Sequence, residues 1–470
     1  MLNVANTVVA SGLCSGCGVC TALCPVGVLQ MRIAANGDLT ACDVGGCVDC
    51  GVCLFVCPFA EGIHGSVPEN KALFADEGAV RDPRHPAVGW HRACFAGHSA
   101  KDGHRSSGAS GGLLTWLLES LLSNGMIDCA AVVRFAGGQD KPLFEFRAAE
   151  SVADIRRAAG SVYQPVELSG VLQEILRAPE RRWAVAGVPC LCTAVRRAVG
   201  KKPALARSIP YVLGLACGMY QNVMYTELLL AESGVKTDET VAVRYRVKDT
   251  EGPPGDFCFV ATRRDGSEGR PIPYRGLPLF LGRNGYFRLD ACNFCRDVFA
   301  GAADACFMDA WLPEYARDPR GTSLVVIRNA GLEALVAGGV ASGDLVLAPV
   351  TAGDVARSQQ GALRRKWRLA RTRTAFGVSH RPQHAPRISL SDMLSWHLNR
   401  WTQRRSKAAW RYYGRRHGPT AFWLSIADLL LLQSVLMPIV MRLESLVARF
   451  VGLLKRSPDS SAGTRQECTP

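Results

Sequence analysis

The chain has 470 residues, 55 Lys and Arg against 41 Asp and Glu (net charge +14), and 19 cysteines. That length allows two or three domains with a sizeable core. Cysteines gathered in short runs argue against a secreted disulfide scaffold and for a reducing compartment, where thiolates serve metal. Met1 to Ser11 has neither a basic start nor a long apolar run, so no secretory signal is expected and the protein is read as cytoplasmic.

Residues 1–65 hold a repeat. CSGCGVCTALCP (14–25) returns as CVDCGVCLFVCP (47–58). The spacing C-x2-C-x2-C-x3-C-P is the run that holds cubane iron–sulfur clusters in bacterial ferredoxins, the fourth cysteine of each run serving the other cluster. One 4Fe-4S cluster is therefore assigned Cys14, Cys17, Cys20 and Cys57, and the other Cys47, Cys50, Cys53 and Cys24. Zinc favours pairs of C-x2-C hooks over triplets, and a disulfide framework would not carry this internal repeat.

Residues 66–100 are rich in Pro, Gly and charge and read as a linker. His91, His98 and His104 show no ligand spacing and read as surface side chains. From 101 to about 355 apolar strands alternate with helices. Helices are expected over 113–124, 171–178 and 223–233, and strands over 130–135, 182–186, 211–216 and 323–328. This alternation predicts an α/β fold, a sheet covered by helices, behind an α+β ferredoxin-like module and ahead of a helical basic tail.

Within this region, SGASGGLLTWLL (107–118) places small residues directly before a helical run. Such a junction offers free N–H groups and a helix dipole to a phosphate, though a plain capped helix beside a tight turn would read the same way. Cys190 in GVPC, Cys217 in GLACG, and Cys292 with Cys295 in ACNFC could bind a third cluster, whereas Cys129, Cys192, Cys258 and Cys306 suit a core. Arg244, Arg246 and Lys248 alternate along an expected strand, facing either an anionic substrate or solvent.

The ordered motifs ASGGLLTWLLESLLSNGMIDCAAVV, AAGSVYQPVEL, WAVAGVPCLCTAVRR, GLACGMYQN, ACNFCRDVFAGAADACFMDAWLPEY and GTSLVVIRN resemble the family of coenzyme F-420 hydrogenase/dehydrogenase beta subunits over roughly residues 10–335. The DAWLPEY wording is most similar to that family's polysaccharide-associated branch. The resemblance implies an iron–sulfur flavoprotein oxidoreductase that passes electrons between clusters, FAD and a hydride acceptor such as the deazaflavin F-420 or a polysaccharide-pathway intermediate. An electron relay serving a redox partner protein or ferredoxin is the alternative. It places third-cluster ligands at Cys190, Cys217, Cys292 and Cys295, and flavin loops at Ser110, Gly111 and Gly112 and at Gly160, Ser161 and Tyr163. Relatives usually show Gly before the Asp-Ala-Trp that here follows Met308, which puts the role of Asp309 in doubt.

The tail, 356–470, carries the charge excess: Gln360 to Pro470 holds 20 Lys and Arg against 5 Asp and Glu, +15, leaving −1 for the rest. Nucleic acid is not expected as a partner. The apolar stretch 422–441 contains Asp428 and Pro438, which count against a full membrane span. It reads as an interfacial amphipathic helix, peripheral to the inner face of the membrane, with a soluble docking helix as the alternative.

Overall fold

The computed structural model describes residues 2–61, 65–75, 78–82, 84–137, 142–249, 256–375, 388–440, 442, 443 and 446. In the N-terminal repeat, Gly18 (φ +75°) and Gly51 (φ +70°) each take a left-handed turn that starts a short helix, Val19–Ala22 and Val52–Val56. The same Cys-Gly-Val-Cys wording thus produces the same bend twice, since glycine alone adopts that conformation without steric cost. An antiparallel ribbon, Leu29–Ile33 on Leu39–Asp43, joins the two halves.

An eight-stranded mixed sheet forms the centre, ordered Leu345–Pro349, Ala93–Ser99, Ser323–Ile327, Ala305–Asp309, Tyr211–Leu215, Trp183–Gly187, Cys129–Phe135, Phe144–Ala149. The run from Ala305–Asp309 to Cys129–Phe135 is parallel, and its flanks are antiparallel. Runs such as LVVI (324–327) and WAVAG (183–187) are apolar throughout, as strands covered on both faces require. Helices Leu113–Ser123, Ser169–Arg177 and Val223–Glu232 match expectation to within two residues. The α/β class is therefore established.

The stretch read as a linker is corrected in two places. Val67–Phe74 is a helix, and Ala93–Ser99 lies inside the sheet, paired on both sides. Its sequence ACFAGHS conceals a strand because Gly97 is required there. A Cβ at 97 would sit 1.9 Å from the Val346 carbonyl.

The ferredoxin-like module is packed against the sheet domain. The Leu168 N–H donates to the Cys17 carbonyl (3.0 Å), Arg197 to the Cys57 carbonyl (2.9 Å), and Asn222 to the Asn36 carbonyl (2.7 Å). The basic tail is not a free appendage either. Helices Gln360–Ala375 and Leu390–Ala409 pack on the body, burying Lys366 and Lys407, and Lys407 Nζ pairs with Asp38 at 2.9 Å.

Candidate functional site

The carboxyl ends of the parallel strands open into a cavity of about 340 Å³, the place where open α/β sheets bind ligands. Trp183–Gly187 delivers Cys190, Tyr211–Leu215 delivers Cys217, and Ala305–Asp309 delivers Asp309 to its wall. Ser110 and Gly112 line it from one loop, and Gly160, Ser161 and Tyr163 from another. Gly111 does not line the cavity. Its lack of a side chain lets the loop pack, because a Cβ there would lie 2.5 Å from the Gly97 carbonyl oxygen. Gly112 (φ +76°) caps helix Leu113–Ser123 and is equally constrained, with the His104 carbonyl 2.7 Å from any added Cβ.

Behind this loop lies a buried network that the sequence does not reveal. His104, expected at the surface, is buried, Nδ1 2.9 Å from Ser99 Oγ and Nε2 3.0 Å from Glu119, which also accepts from Arg156 at 2.8 Å. Burial holds the His104 pKa below that of a free imidazole, against the pull of Glu119. His91 is buried too, and His98 half-buried. The Ser99 N–H donates to the Gly111 carbonyl (2.9 Å), so the network fixes the glycine loop from beneath.

The strand with alternating cations resolves into three different roles. Arg244 is exposed and pairs with Glu268. Arg246 lines the cavity, pairs with Asp309 at 2.9 Å and stacks 4.0 Å above the Phe257 ring. Asp309 therefore has a structural partner despite the altered residue before it. Lys248 Nζ donates to the carbonyls of Ser110 (2.8 Å) and Arg105, tying the strand to the glycine loop. Burial, with Arg246 and Arg105 nearby, lowers its pKa to about 8.

The twelve cysteines nominated in three sets of four lie near one another, with neighbourhoods that overlap between the sets. Cys20 has Cys17, Cys14, Cys57 and Cys53 as thiol neighbours. Cys24, Cys47, Cys50 and Cys53 surround a second, small cavity of about 20 Å³. Cys190 and Cys292 both sense Cys217 and Cys295. Among the described residues no three Cys, His, Asp or Glu side chains converge at single-ion distance. The groups are also in sequence: Cys20 neighbours Cys53, and Cys190 neighbours Cys17. Cys17, Cys190 and Cys217 share the wall of the large cavity with the two glycine loops. Cys50, in contrast, is exposed.

Two buried cations attend the third group. Lys366 Nζ lies 3.2 Å from Cys295 Sγ and donates to the Asp297 carbonyl. Burial alone would lower its pKa, but Cys295, Cys217, Cys292 and Asp297 hold it above the ordinary lysine value. Arg288 is 1% exposed, and none of its guanidinium nitrogens has a hydrogen-bond partner. A buried, unpaired cation is costly: burial and the nearby Arg365 pull the Arg288 pKa down to about 10, with Cys292 the opposing neighbour. The Tyr220 N–H donates to Cys292 Sγ at 3.2 Å. Sequence reasoning misses Lys366 because it stands in an arginine-rich run, and Arg288 because no spacing marks it. Cys42, close to Cys14, is a thiol outside the nominated sets.

The models of the coenzyme F420 hydrogenase/dehydrogenase family match residues 94–173, as the N-terminal part of the beta subunit, and residues 180–353, as its carboxy-terminal part. One component of the F(420)H(2) dehydrogenase of Methanosarcina mazei is 24% identical over 319 residues, 66% of this chain and 80% of the relative. A chain from the xenon-derivatized F420-reducing NiFe hydrogenase complex of Methanosarcina barkeri aligns with a TM-score of 0.48 and 20% identity, covering 65% of this chain and 100% of that one.

Proposed function

The chain belongs to the family of coenzyme F420 hydrogenase/dehydrogenase beta subunits, and from this premise we propose that it is an iron–sulfur flavoprotein oxidoreductase. It would exchange electrons with a redox partner protein and a hydride-accepting small molecule, an F420-like deazaflavin or a polysaccharide-pathway intermediate. One observation carries this reading: thiols of two cysteine groups and both glycine loops line a single cavity.

The residues present fit the implied groups. Cys14, Cys17, Cys20 and Cys57 would hold one 4Fe-4S cluster, Cys24, Cys47, Cys50 and Cys53 a second, and Cys190, Cys217, Cys292 and Cys295 a third. Burial and the charge of neighbouring thiols push Cys57 and Cys292 up to about 12, so deprotonated donors at these positions call for a strong cationic partner. The orphaned Arg288 guanidinium and Lys366 supply positive charge where a thiolate-ligated cluster would be anionic. FAD would occupy the large cavity against Ser110, Gly112, Gly160, Ser161 and Tyr163, with Gly111 shaping its loop. When bound, clusters move single electrons and a flavin links them to two-electron hydride chemistry.

The chain's own side chains then have definite tasks. Arg246, fixed by Asp309 and Phe257, presents guanidinium donors at the cavity wall to an anionic ligand, its charge balanced by Asp309. Lys248 and the His104 network hold the glycine loop in shape. Exposed Cys50 is bordered by exposed Leu2, Val26 and Val48, a place for a transient partner to dock. The alternative, a pure relay to a separate catalytic protein, uses the same grouping but no small-molecule site. To separate the two, the anaerobically purified full-length chain is mixed with dithionite and F420. Reduction of F420 by the isolated chain supports the oxidoreductase; a flavin-containing chain that reduces neither F420 nor another hydride acceptor leaves only the relay.

A further inference from the structure

The C-terminal helices leave a face that the redox core does not use. The helix over Arg415–Ser425 and the one that follows, Ala427–Leu431, dock through Phe422, Ile426 and Leu429, all fully buried. Phe422 stacks on Phe287 (5.5 Å) and packs edge-on against Trp410. Trp423 Nε1 donates to Glu232 (2.7 Å), and Arg415 pairs with Glu227 (2.7 Å). These contacts set the rotation of the helices. Leu424 (73%) is exposed before the bend at Ile426, and Leu431 (59%), Val435, Ile439, Leu443 and Leu446, recurring every three or four residues, are exposed after it.

This face continues onto the preceding helix. Arg405 pairs with Asp428 at 2.6 Å and donates to the Ser425 carbonyl at 3.0 Å, while its guanidinium lies 5.2 Å from the exposed Trp401 ring. Asp428, the one acid in the apolar stretch, is thus neutralised rather than free. Exposed Tyr412 and Tyr413 lie at the end of the same helical run. Arg404, Arg411 and Arg416 are exposed and have no carboxylate partner among the described residues.

We propose that this face is a docking surface for an anionic lipid bilayer, with the leucines entering the acyl boundary, the aromatic rings at headgroup depth and the unpaired arginines on the headgroups. The helical run Leu390–Val440 is long and apolar enough to cross a membrane by length and composition. A span would require lipid on all sides, however, and here one side is fastened to the protein core. Gln433 also donates to the Asn284 carbonyl and to Thr402 from within the apolar stretch. The helix therefore lies along the surface.

The test uses the full-length chain and vesicles of phosphatidylcholine with or without phosphatidylglycerol, read by co-sedimentation. Binding to the anionic vesicles that weakens with salt is expected. The double variant L431E/I439E should abolish it, and R404Q/R411Q should weaken it roughly thirtyfold, since each cation near a charged surface contributes about a factor of five or more. All four positions are exposed, and unchanged circular dichroism verifies the fold. No binding to anionic vesicles overturns the proposal. So does binding untouched by L431E/I439E, resistance to carbonate extraction (a span), or a lipid-free dimer that L431E/I439E dissociates (a second copy on the face). None of these outcomes bears on the oxidoreductase reading.

Discussion

Lys366 offers the most direct handle on the third cysteine group. Its ammonium lies 3.2 Å from Cys295 Sγ in a buried pocket. Replacing it by Met keeps most of the volume and removes the charge. By Coulomb's law, a unit charge at that distance is worth about 5 kcal/mol at an effective dielectric of ~20 and about 1.3 kcal/mol at the dielectric of water. For a one-electron couple, with 59 mV per tenfold change, those limits correspond to roughly 200 mV and roughly 50 mV. Charge added on reduction spreads beyond the Cys295 sulfur, so a shift on the order of 100 mV is expected, toward more negative potential because the cation stabilises the reduced form. The assay is an EPR-monitored redox titration of K366M and of the conservative K366R, with iron content measured in parallel. If K366M keeps its full iron yet every couple stays within about 30 mV of the parent, half a decade for one electron, Lys366 does not act on that centre.

Three further outcomes follow from the cavity. Gly112→Ala places a Cβ 2.7 Å from the His104 carbonyl oxygen at φ +76°, which should cost about 2 kcal/mol or more and release flavin; a variant of parental melting temperature and flavin content would contradict the loop assignment. Asp309→Asn leaves Arg246 buried without its counter-charge, so unfolding in urea should show a loss of about 3 kcal/mol, the low end for a broken buried pair, whereas a neutral effect would mean that the pair is dispensable. Lys248 binds its proton more weakly when folded, at about 8 against the free value of 10.5. Between those values the unfolded chain holds more protons, so stability should rise as pH increases through that window and level off above it, an effect absent in Lys248→Met.

Much of this arrangement is legible from residue order. The repeated Cys-Gly-Val-Cys runs, the apolar strands and the helix after Gly112 depend on local wording, and those elements lie where that wording puts them. What escapes is set by distant partners. Ala93–Ser99 is a strand because strands some two hundred residues later close on both sides of it, and its small residues serve that approach. His104 is buried because Glu119 and Ser99 stand within hydrogen-bond distance of its two ring nitrogens. Lys366 reads as one more tail cation until the helix carrying it is seen to lie against Cys295. Alternation alone does not say which of Arg244, Arg246 and Lys248 meets solvent, because that depends on where Asp309 and the glycine loop sit.

On the proposed function, three sets of four thiols hold iron–sulfur clusters beside one flavin. The measurement that tests it most directly is the iron, acid-labile sulfide and flavin content of the chain purified without oxygen. The expected result is roughly twelve irons with matching sulfide, four per cluster, and one dissociable FAD, with a C190A/C217A variant dropping to roughly eight irons. Stoichiometric zinc without sulfide, or a parental iron content in that variant, would contradict it.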